Sequence, residues 1–354
     1  MLPKQPRFSQ PKTNSHSGLG DKINRPNERH SLRKIISISA ILLATISLAG
    51  CAPASQADLI AKLDPICTPY TEGKALDSIK VSGDLTAMPN ATFGGGVTSD
   101  KIETKIITEG KGAKLVGNQL ITMEFEGLNG GTGKSFQASK HDGTDSIQQY
   151  IKKGATPDFC HALTGVRIGS RVAVIFPANE AHGGKGVESL GIGPTDSIVF
   201  VLDIISANLP FALGEKGSAQ SGFPSVVFDP KTGTPGFTFA STAAPKDLKV
   251  EKLIIGNGET IKEGDTVTLN YSGIVYGAEA TFDSSWEKGQ PAQFELTKGA
   301  LIEGFYKSLI GAKVGDRIVT MIPPTLGYGS TATGSIPANS SLVFVLDVLG
   351  TQHK

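Results

Sequence analysis

"IVTMIPPTLGYG" (residues 318–329) is an alternating apolar run closed by two prolines and a Gly-Tyr-Gly. "VAVIFPANEAHG" (172–183) repeats its layout 146 residues earlier, with Ala178 in place of the second proline and His182 in place of the tyrosine. The duplication extends outward from this pair. "LITMEFEGLNGGTGKSFQAS" (120–139) lies over "TVTLNYSGIVYGAEATFDSS" (266–285) at the same shift: Thr122, Gly127, Gly131, Phe136 and Ser139 recur as Thr268, Gly273, Gly277, Phe282 and Ser285. "SIVFVLDII" (197–205) lies over "SLVFVLDVL" (341–349) at a shift of 144. The chain therefore carries two copies of one domain.

Each copy reads mainly as strands. "DTVTLNYSGIV" alternates apolar with small or polar residues at period two, and "DRIVTMI" and "SLVFVLDVL" are β-branched-rich runs that end in turns. One segment breaks the pattern: in "IEGFYKSLIGAKVG" Ile302, Phe305 and Leu309 fall three and four apart, with Gly311 and Gly315 beyond, which predicts a short helix. An antiparallel sheet with one short helix against a face is an α+β arrangement. The 43 glycines and 20 prolines suit turn-rich β structure. A net charge of +1 over 354 residues gives no sign of a nucleic-acid partner.

The N-terminus reads as an export signal. Residues 1–34 hold eight Lys/Arg against two acids, and "IISISAILLATISLAG" (35–50) is uncharged and mostly apolar. That run is shorter than the roughly 20 residues of a membrane span and suits a signal h-region. It closes on "LAGC" (48–51), which resembles a lipobox, so Cys51 is the expected lipidation site. The expected division is 1–50 signal peptide with lipobox, 51–95 tether, 96–207 first domain, 208–247 linker and 248–354 second domain. Within the linker, "SVVF" and "FTF" are short strand candidates for pairing with a sheet edge. Cys67 and Cys160 remain; an exported chain permits a bridge, but sequence supplies no distance between them. No C-x-x-C and no His/Cys cluster with ligand spacing occurs, so no metal site is expected.

Residues 249–350 carry "NYSG", "TFDSS", "LIEGF", "VGDR", "IPPTLGYG" and "LVFVLDVL" in order. As a set these resemble the FK506-binding-protein (FKBP) type of peptidyl-prolyl isomerase, and residues 102–205 resemble a diverged second member. The resemblance implies a curved antiparallel sheet wrapped around the short helix, and a proline pocket. Carried over by position, its catalytic set is Asp283, Tyr328 and Phe282, and Tyr271, Leu301, Ile302, Phe305, Ile336 and Phe344 bind substrate. Three departures stand out: Phe305 falls where the family usually has a tryptophan, Ala292 where many members have an aromatic, with Phe294 two residues on, and the loop between Tyr328 and Ile336 is slightly shorter than in the best-known small members. On pattern alone, Phe282 and Phe344 read as strand packing, Asp283 before Ser-Ser as turn chemistry, and Pro323-Pro324 as a strand end. The ordered set outweighs those readings.

The implied reaction is rotation about an X-Pro bond. The cis/trans energy gap there is small but the barrier is roughly 18–20 kcal/mol. No bond breaks, so neither metal nor cofactor is required. An apolar pocket favours the twisted, less polarised imide, and the Tyr328 hydroxyl is the candidate donor to the carbonyl before proline. Asp283 is expected to orient Tyr271. In the first copy Tyr271 becomes Phe125, Asp283 becomes Gln137 and Tyr328 becomes His182, while Phe136, Phe159, Ile192 and Phe200 persist. Activity is thus expected mainly in the second domain. The expected partners are proline-containing unfolded or newly exported polypeptides and FK506-like macrolides, and the expected location is the extracytoplasmic side of the cell membrane, held by a lipid anchor. The alternative is a holdase that grips unfolded chains without turnover, since two linked sites raise effective concentration.

Overall fold

The computed structural model describes residues 54–85, 87–217, 221–229, 232–239 and 244–353. The signal segment and Cys51 lie outside them. Helix α1 (Gln56–Ile60) and strands β1 (Lys80–Ser82) and β2 (Asn90–Thr92) come first. The first domain follows with β3 (Glu103–Thr108), β4 (Gln119–Asn129), β5 (Ser135–Ala138), β6 (Ile147–Ile151), α2 (Phe159–Leu163), β7 (Arg171–Phe176), α3 (Ala178–His182) and β8 (Ile198–Ala207). Three short strands bridge the domains: β9 (Gly214–Lys216), β10 (Ser225–Phe228) and β11 (Pro235–Thr238). The second domain contains β12 (Lys249–Gly256), β13 (Thr266–Val275), β14 (Thr281–Ser284), α4 (Ser285–Lys288), β15 (Ala292–Glu295), α5 (Glu303–Leu309), β16 (Arg317–Ile322) and β17 (Leu342–Gln352).

The two sheets have one topology. The order β3-β7-β8-β4-β5, with β6 beside β4, is matched by β12-β16-β17-β13-β14, with β15 beside β13. Even the bulges recur. Register shifts at Ile106/Thr108, Thr122/Met123 and Gly127/Leu128 return at Lys252/Ile254, Thr268/Leu269 and Gly273/Ile274. Bulges bend a strand and increase its twist, so the same curvature is built in twice. Both domains are α+β, as the sequence predicts, each a curved antiparallel sheet around a short helix, α2 or α5. The additional helices α3 and α4 are single turns.

The central strands are buried on both faces, which explains their near-continuous apolar runs. On β16, Ile318 and Ile322 face the core under α5, while Val319 and Met321 face the opposite side. On β17, Phe344, Leu346 and Val348 alternate in the same way with Val343 and Val345. Helix α5 approaches closely because Gly304 has no side chain: a Cβ there would lie 2.3 Å from Ile322 Cγ2.

The outer faces are covered by the segments read from sequence as tether and linker. Leu76, Ile79 and Val97 pack on Ala173, Ile175, Val199 and Val201 of the first sheet. Phe223, Val226, Phe228, Phe237 and Phe239 pack around Val319, Met321, Val343 and Val345 of the second. The two linker strand candidates do not add to a sheet edge. They pair with each other as the β10–β11 hairpin and lie across the face, where their aromatic residues leave water, while β9 takes the edge beside β12.

One arginine in each domain helps to hold its strap. Arg171 pairs with Asp203 through Nε and Nη2, both at 2.6 Å, and donates to the carbonyls of Gly83 and Ala87, each at 2.9 Å. Its equivalent Arg317 pairs with Asp347 at 2.6 and 2.7 Å and lies 3.8 Å from the centre of the Phe228 ring. The first strap is also tied covalently: Cys67 and Cys160 form a disulfide, with an S–S distance of 2.02 Å. Between the domains, Ile60 of α1 packs with Val116, Leu209 and Leu349, and Gln56 Nε2 donates to the carbonyl of Val314 at 3.0 Å. Among the described residues no helix is long and apolar enough to cross a membrane.

Candidate active site

An open cavity of about 260 Å³ lies between the concave face of the second sheet and the N-terminal end of α5. Strand alternation and bulging place its walls. Tyr271 comes from β13, Phe282 and Asp283 from β14, Phe294 from β15, and Phe344 from β17. Ala300, Leu301, Ile302 and Phe305 come from the approach and first turns of α5, and Tyr328 from the loop after Pro323-Pro324.

Five rings form a connected wall. Phe282 meets Phe344 edge-on at 5.5 Å between centroids, Phe344 meets Phe305 at 5.1 Å, Phe305 meets Phe294 at 5.4 Å, and Phe294 meets Tyr271 at 5.4 Å. Edge-to-face pairs of this kind are worth about 0.5–1.5 kcal/mol beyond area burial. Gly273 makes room for the first pair, since a Cβ there would lie 2.5 Å from Phe282 and 2.6 Å from Phe344.

One polar cluster sits on this apolar wall. The Tyr271 hydroxyl donates to Asp283 Oδ2 at 2.7 Å. Lys288, at the end of α4, forms an ion pair with Asp283 Oδ1 and donates to the Tyr271 hydroxyl at 3.2 Å. Burial pushes the Asp283 carboxyl up, but the hydrogen bonds from Lys288 and Tyr271 outweigh it and leave the group below its ordinary value. Burial and the neighbouring carboxylate raise the Tyr271 phenol, and the hydrogen bond to Asp283 raises Lys288. At neutral pH the cluster therefore holds an ionised carboxylate, a protonated phenol and an ammonium. Tyr328 stands apart from it on the rim, 36% exposed.

Most of the residues singled out from sequence meet here. Asp283, Tyr328, Phe282, Tyr271, Leu301, Ile302, Phe305 and Phe344 all line the cavity. Ile336 does not: it is 5% exposed within the domain core, bridged through its backbone to Thr333. Lys288 and Ala300 were not foreseen. Lys288 is invisible in sequence because only the turn of α4, closed by Gly289 at φ +71°, returns its side chain to Asp283.

The equivalent region of the first domain keeps four of the five ring positions, has Gln149 at the place of Phe294, and loses the polar cluster. Phe200 packs against Phe125, Phe136, Phe159 and Phe176 at 5.9–6.4 Å. Phe176, which replaces Ile322, is fully buried and sits 4.8 Å from Phe159. His182, the counterpart of Tyr328, is committed to its own loop. The Gly186 amide donates to Nδ1 at 2.9 Å, so Nε2 carries the proton and donates to the Asp196 carbonyl at 2.8 Å. His182 therefore has no ring donor left for a substrate carbonyl.

Elsewhere in this domain Glu124, His141 and Asp203 bring ligand-type atoms within 4.8 Å of one another. His141 Nδ1 already bonds Asp203 at 2.8 Å, and both carboxylate oxygens accept from Arg171. A cation there would have to face the guanidinium, so the donor set does not fit a metal ion.

The sheet topology, the helix it wraps and the aromatic cavity define a protein of tandem FKBP-like domains. The family model described as FKBP-type peptidyl-prolyl cis-trans isomerase matches residues 257–349. A probable FK506-binding protein of Corynebacterium glutamicum is 37% identical over 106 residues, covering 30% of this chain and 88% of that one. An FK506-binding protein of Streptomyces anulatus is 34% identical over 117 residues, covering 32% and 94%. The chain belongs to the FK506-binding-protein family, and its C-terminal domain is an FKBP-type peptidyl-prolyl cis-trans isomerase. Among solved structures, the three FKBP domains of wheat FKBP73 align with 72% of this chain and 95% of that chain, at 20% identity and a TM-score of 0.32.

Proposed function

We propose that this protein isomerises X-Pro bonds of exported polypeptides, and that the reaction takes place in the second domain's cavity. The observation that carries the location is the ionised Asp283, held by Tyr271 and Lys288 against a wall of five rings. Its counterpart in the first domain has Phe125 and Gln137 at the same two positions. The prolyl ring enters between Phe282, Phe305 and Phe344. This apolar contact favours the twisted imide, whose charge separation is smaller than that of the planar form. Tyr328 donates to the carbonyl preceding proline and fixes the bound geometry. Asp283 orients Tyr271 and sets the local field, and it transfers no proton. The same cavity is the seat for FK506-like macrolides, the ligand in the names of the relatives.

Three features support export and anchoring: the basic leader, the apolar run ending at Cys51, and the Cys67–Cys160 disulfide, a bond that persists in oxidising compartments. We place the protein on the extracytoplasmic side of the cell membrane, anchored through a lipid on Cys51. A holdase reading is favoured by one observation, the retention of an aromatic cluster around Phe200 in the first domain without the polar groups.

The test uses the full chain and the variant Asp283→Val on a short X-Pro peptide. A fall in kcat/KM of at least about tenfold, equivalent to ~1.4 kcal/mol of transition-state stabilisation, is expected. Unchanged turnover would move the chemistry away from this cavity. Lost turnover with undiminished protection of an unfolded client would show a separable holdase activity. Metabolic labelling with palmitate checks the anchor: label lost in Cys51→Ser supports it, and an unlabelled parent protein rejects it.

A further inference from the structure

Beside the isomerase cavity the two domains enclose a cleft whose walls come from both. Among the described residues, β6 pairs only with β4 and β15 only with β13, so each strand has a free backbone edge. On β6, Ile147 and Ile151 turn into the first core, which puts Gln148, Tyr150 and Lys152 on the other face. Gln148 and Tyr150 line a cavity of about 450 Å³ together with Lys288, Gln290 and Gln293 of the second domain. Tyr150 and Gln290 also line an adjoining cavity of about 510 Å³, whose other walls include Lys152, Lys153 and Trp286. Lys152 reaches the far wall: a Cβ on Gly289 would lie 2.6 Å from its Nζ.

The cleft adjoins the isomerase site through Lys288 and β15. Lys288 lines it and bonds Asp283 and Tyr271 of the isomerase cavity. Strand β15 spans both, with Ala292 in the cleft and Phe294 in the ring wall. Its chemistry is that of a chain-binding groove. Tyr150 and Trp286 present aromatic faces, the glutamines offer donors and acceptors to a backbone, and the free strand edges suit extended chain. Among the described lining residues of both cavities there are lysines and Arg317 but no Asp or Glu.

We propose that this cleft holds the substrate chain flanking the proline in extended form, with acidic side chains of that chain paired to Lys152 and Lys153. The first domain is then the second wall of one substrate site. This rests on the reading that isomerisation takes place in the second domain's cavity.

The experiment compares, on the full chain, an X-Pro tetrapeptide with 12-residue peptides that extend it on either side with glutamates or lysines. The acidic 12-mer is expected to show a KM about fivefold below those of the tetrapeptide and the basic 12-mer, an advantage that shrinks with salt. The double variant Lys152→Glu/Lys153→Glu should erase that preference and leave tetrapeptide kcat/KM within about twofold. Both lysines are exposed, so folding is not at stake; Tyr150→Ala provides a second, uncharged perturbation of the same wall. No preference in the parent protein, or a preference that survives the charge reversal, overturns the proposal. Fluorescence anisotropy with the labelled acidic 12-mer judges the cleft without turnover. A peptide that binds in a Lys152-dependent way but is not isomerised refutes the location of the chemistry and leaves the cleft standing.

Discussion

The aromatic cluster of the second domain and that of the first occupy equivalent places in equivalent sheets, yet only one surrounds a polar site. Strand order, three bulges, the Arg–Asp pair and the phenylalanines at 136/282, 159/305 and 200/344 are common to both. The differences concentrate at Phe125/Tyr271, Gln137/Asp283, Gln149/Phe294, His182/Tyr328 and Phe176/Ile322. The rings recur because each sheet must bury its concave face, a demand of folding. The carboxylate, phenol and ammonium recur nowhere in the first domain because the fold stands without them. Residues that a domain needs to exist are thereby separated from residues that it needs to act.

The largest way to break the comparison is through the disulfide, which only the first domain has. Cys67 and Cys160 are 93 residues apart, and opening a loop of that size costs about 4.6 kcal/mol in the chain-entropy account. Cys160→Ala is expected to unfold the first domain early in urea while the second holds. The single tryptophan makes this readable: Trp286 packs near Phe228 in the second domain and lines the cleft toward the first, so its fluorescence reports the second domain and that cleft, whereas circular dichroism follows both domains. Transitions that move together would mean the domains unfold as one unit.

A smaller and more pointed contrast lies at the paired positions 182 and 328. His182→Ala removes two loop hydrogen bonds and should cost the first domain about 2 kcal/mol with isomerase activity unchanged. Tyr328→Phe should leave stability within about 0.5 kcal/mol and lower kcat/KM several-fold. The reverse pattern would exchange the roles assigned to the two loops.

The smallest effect is one of pH. The folded Asp283 carboxyl lies below its ordinary value, so its contribution to stability is present above the unfolded pKa and is lost as pH falls through the folded one. Isomerase activity should likewise persist down to the folded pKa and be lost below it. Lys288→Met removes the ion pair, lifts the carboxyl, and should move the acid limb of the pH–rate profile upward. An unmoved limb would detach Asp283 from the rate.

Much of this was legible in the sequence because two periodicities carry it. The internal repeat gives away the tandem domains, and alternation in "DRIVTMI" and "SLVFVLDVL" gives the central strands. The straps were not legible. Leu76, Ile79, Phe93 and Val97 follow neither a strand nor a helix period, because the surface they cover belongs to β7 and β8, far along the chain. The bridge between Cys67 and Cys160 depends on that docking and was equally hidden. In the site, the rings and Asp283 fall within ordered motifs, whereas Lys288 owes its place to one short turn. Ile336 holds the equivalent motif position but packs into the core beside the cavity.

The most direct test of a single working cavity is a titration of the full chain, carrying labelled phenylalanine rings, with a short X-Pro peptide followed by NMR. The account predicts that Phe282, Phe305 and Phe344 shift and show exchange between cis- and trans-bound peptide, while Phe136, Phe159 and Phe200 stay in place. Shifts of comparable size and affinity in both sets would contradict it, and would make the first domain a second isomerase site.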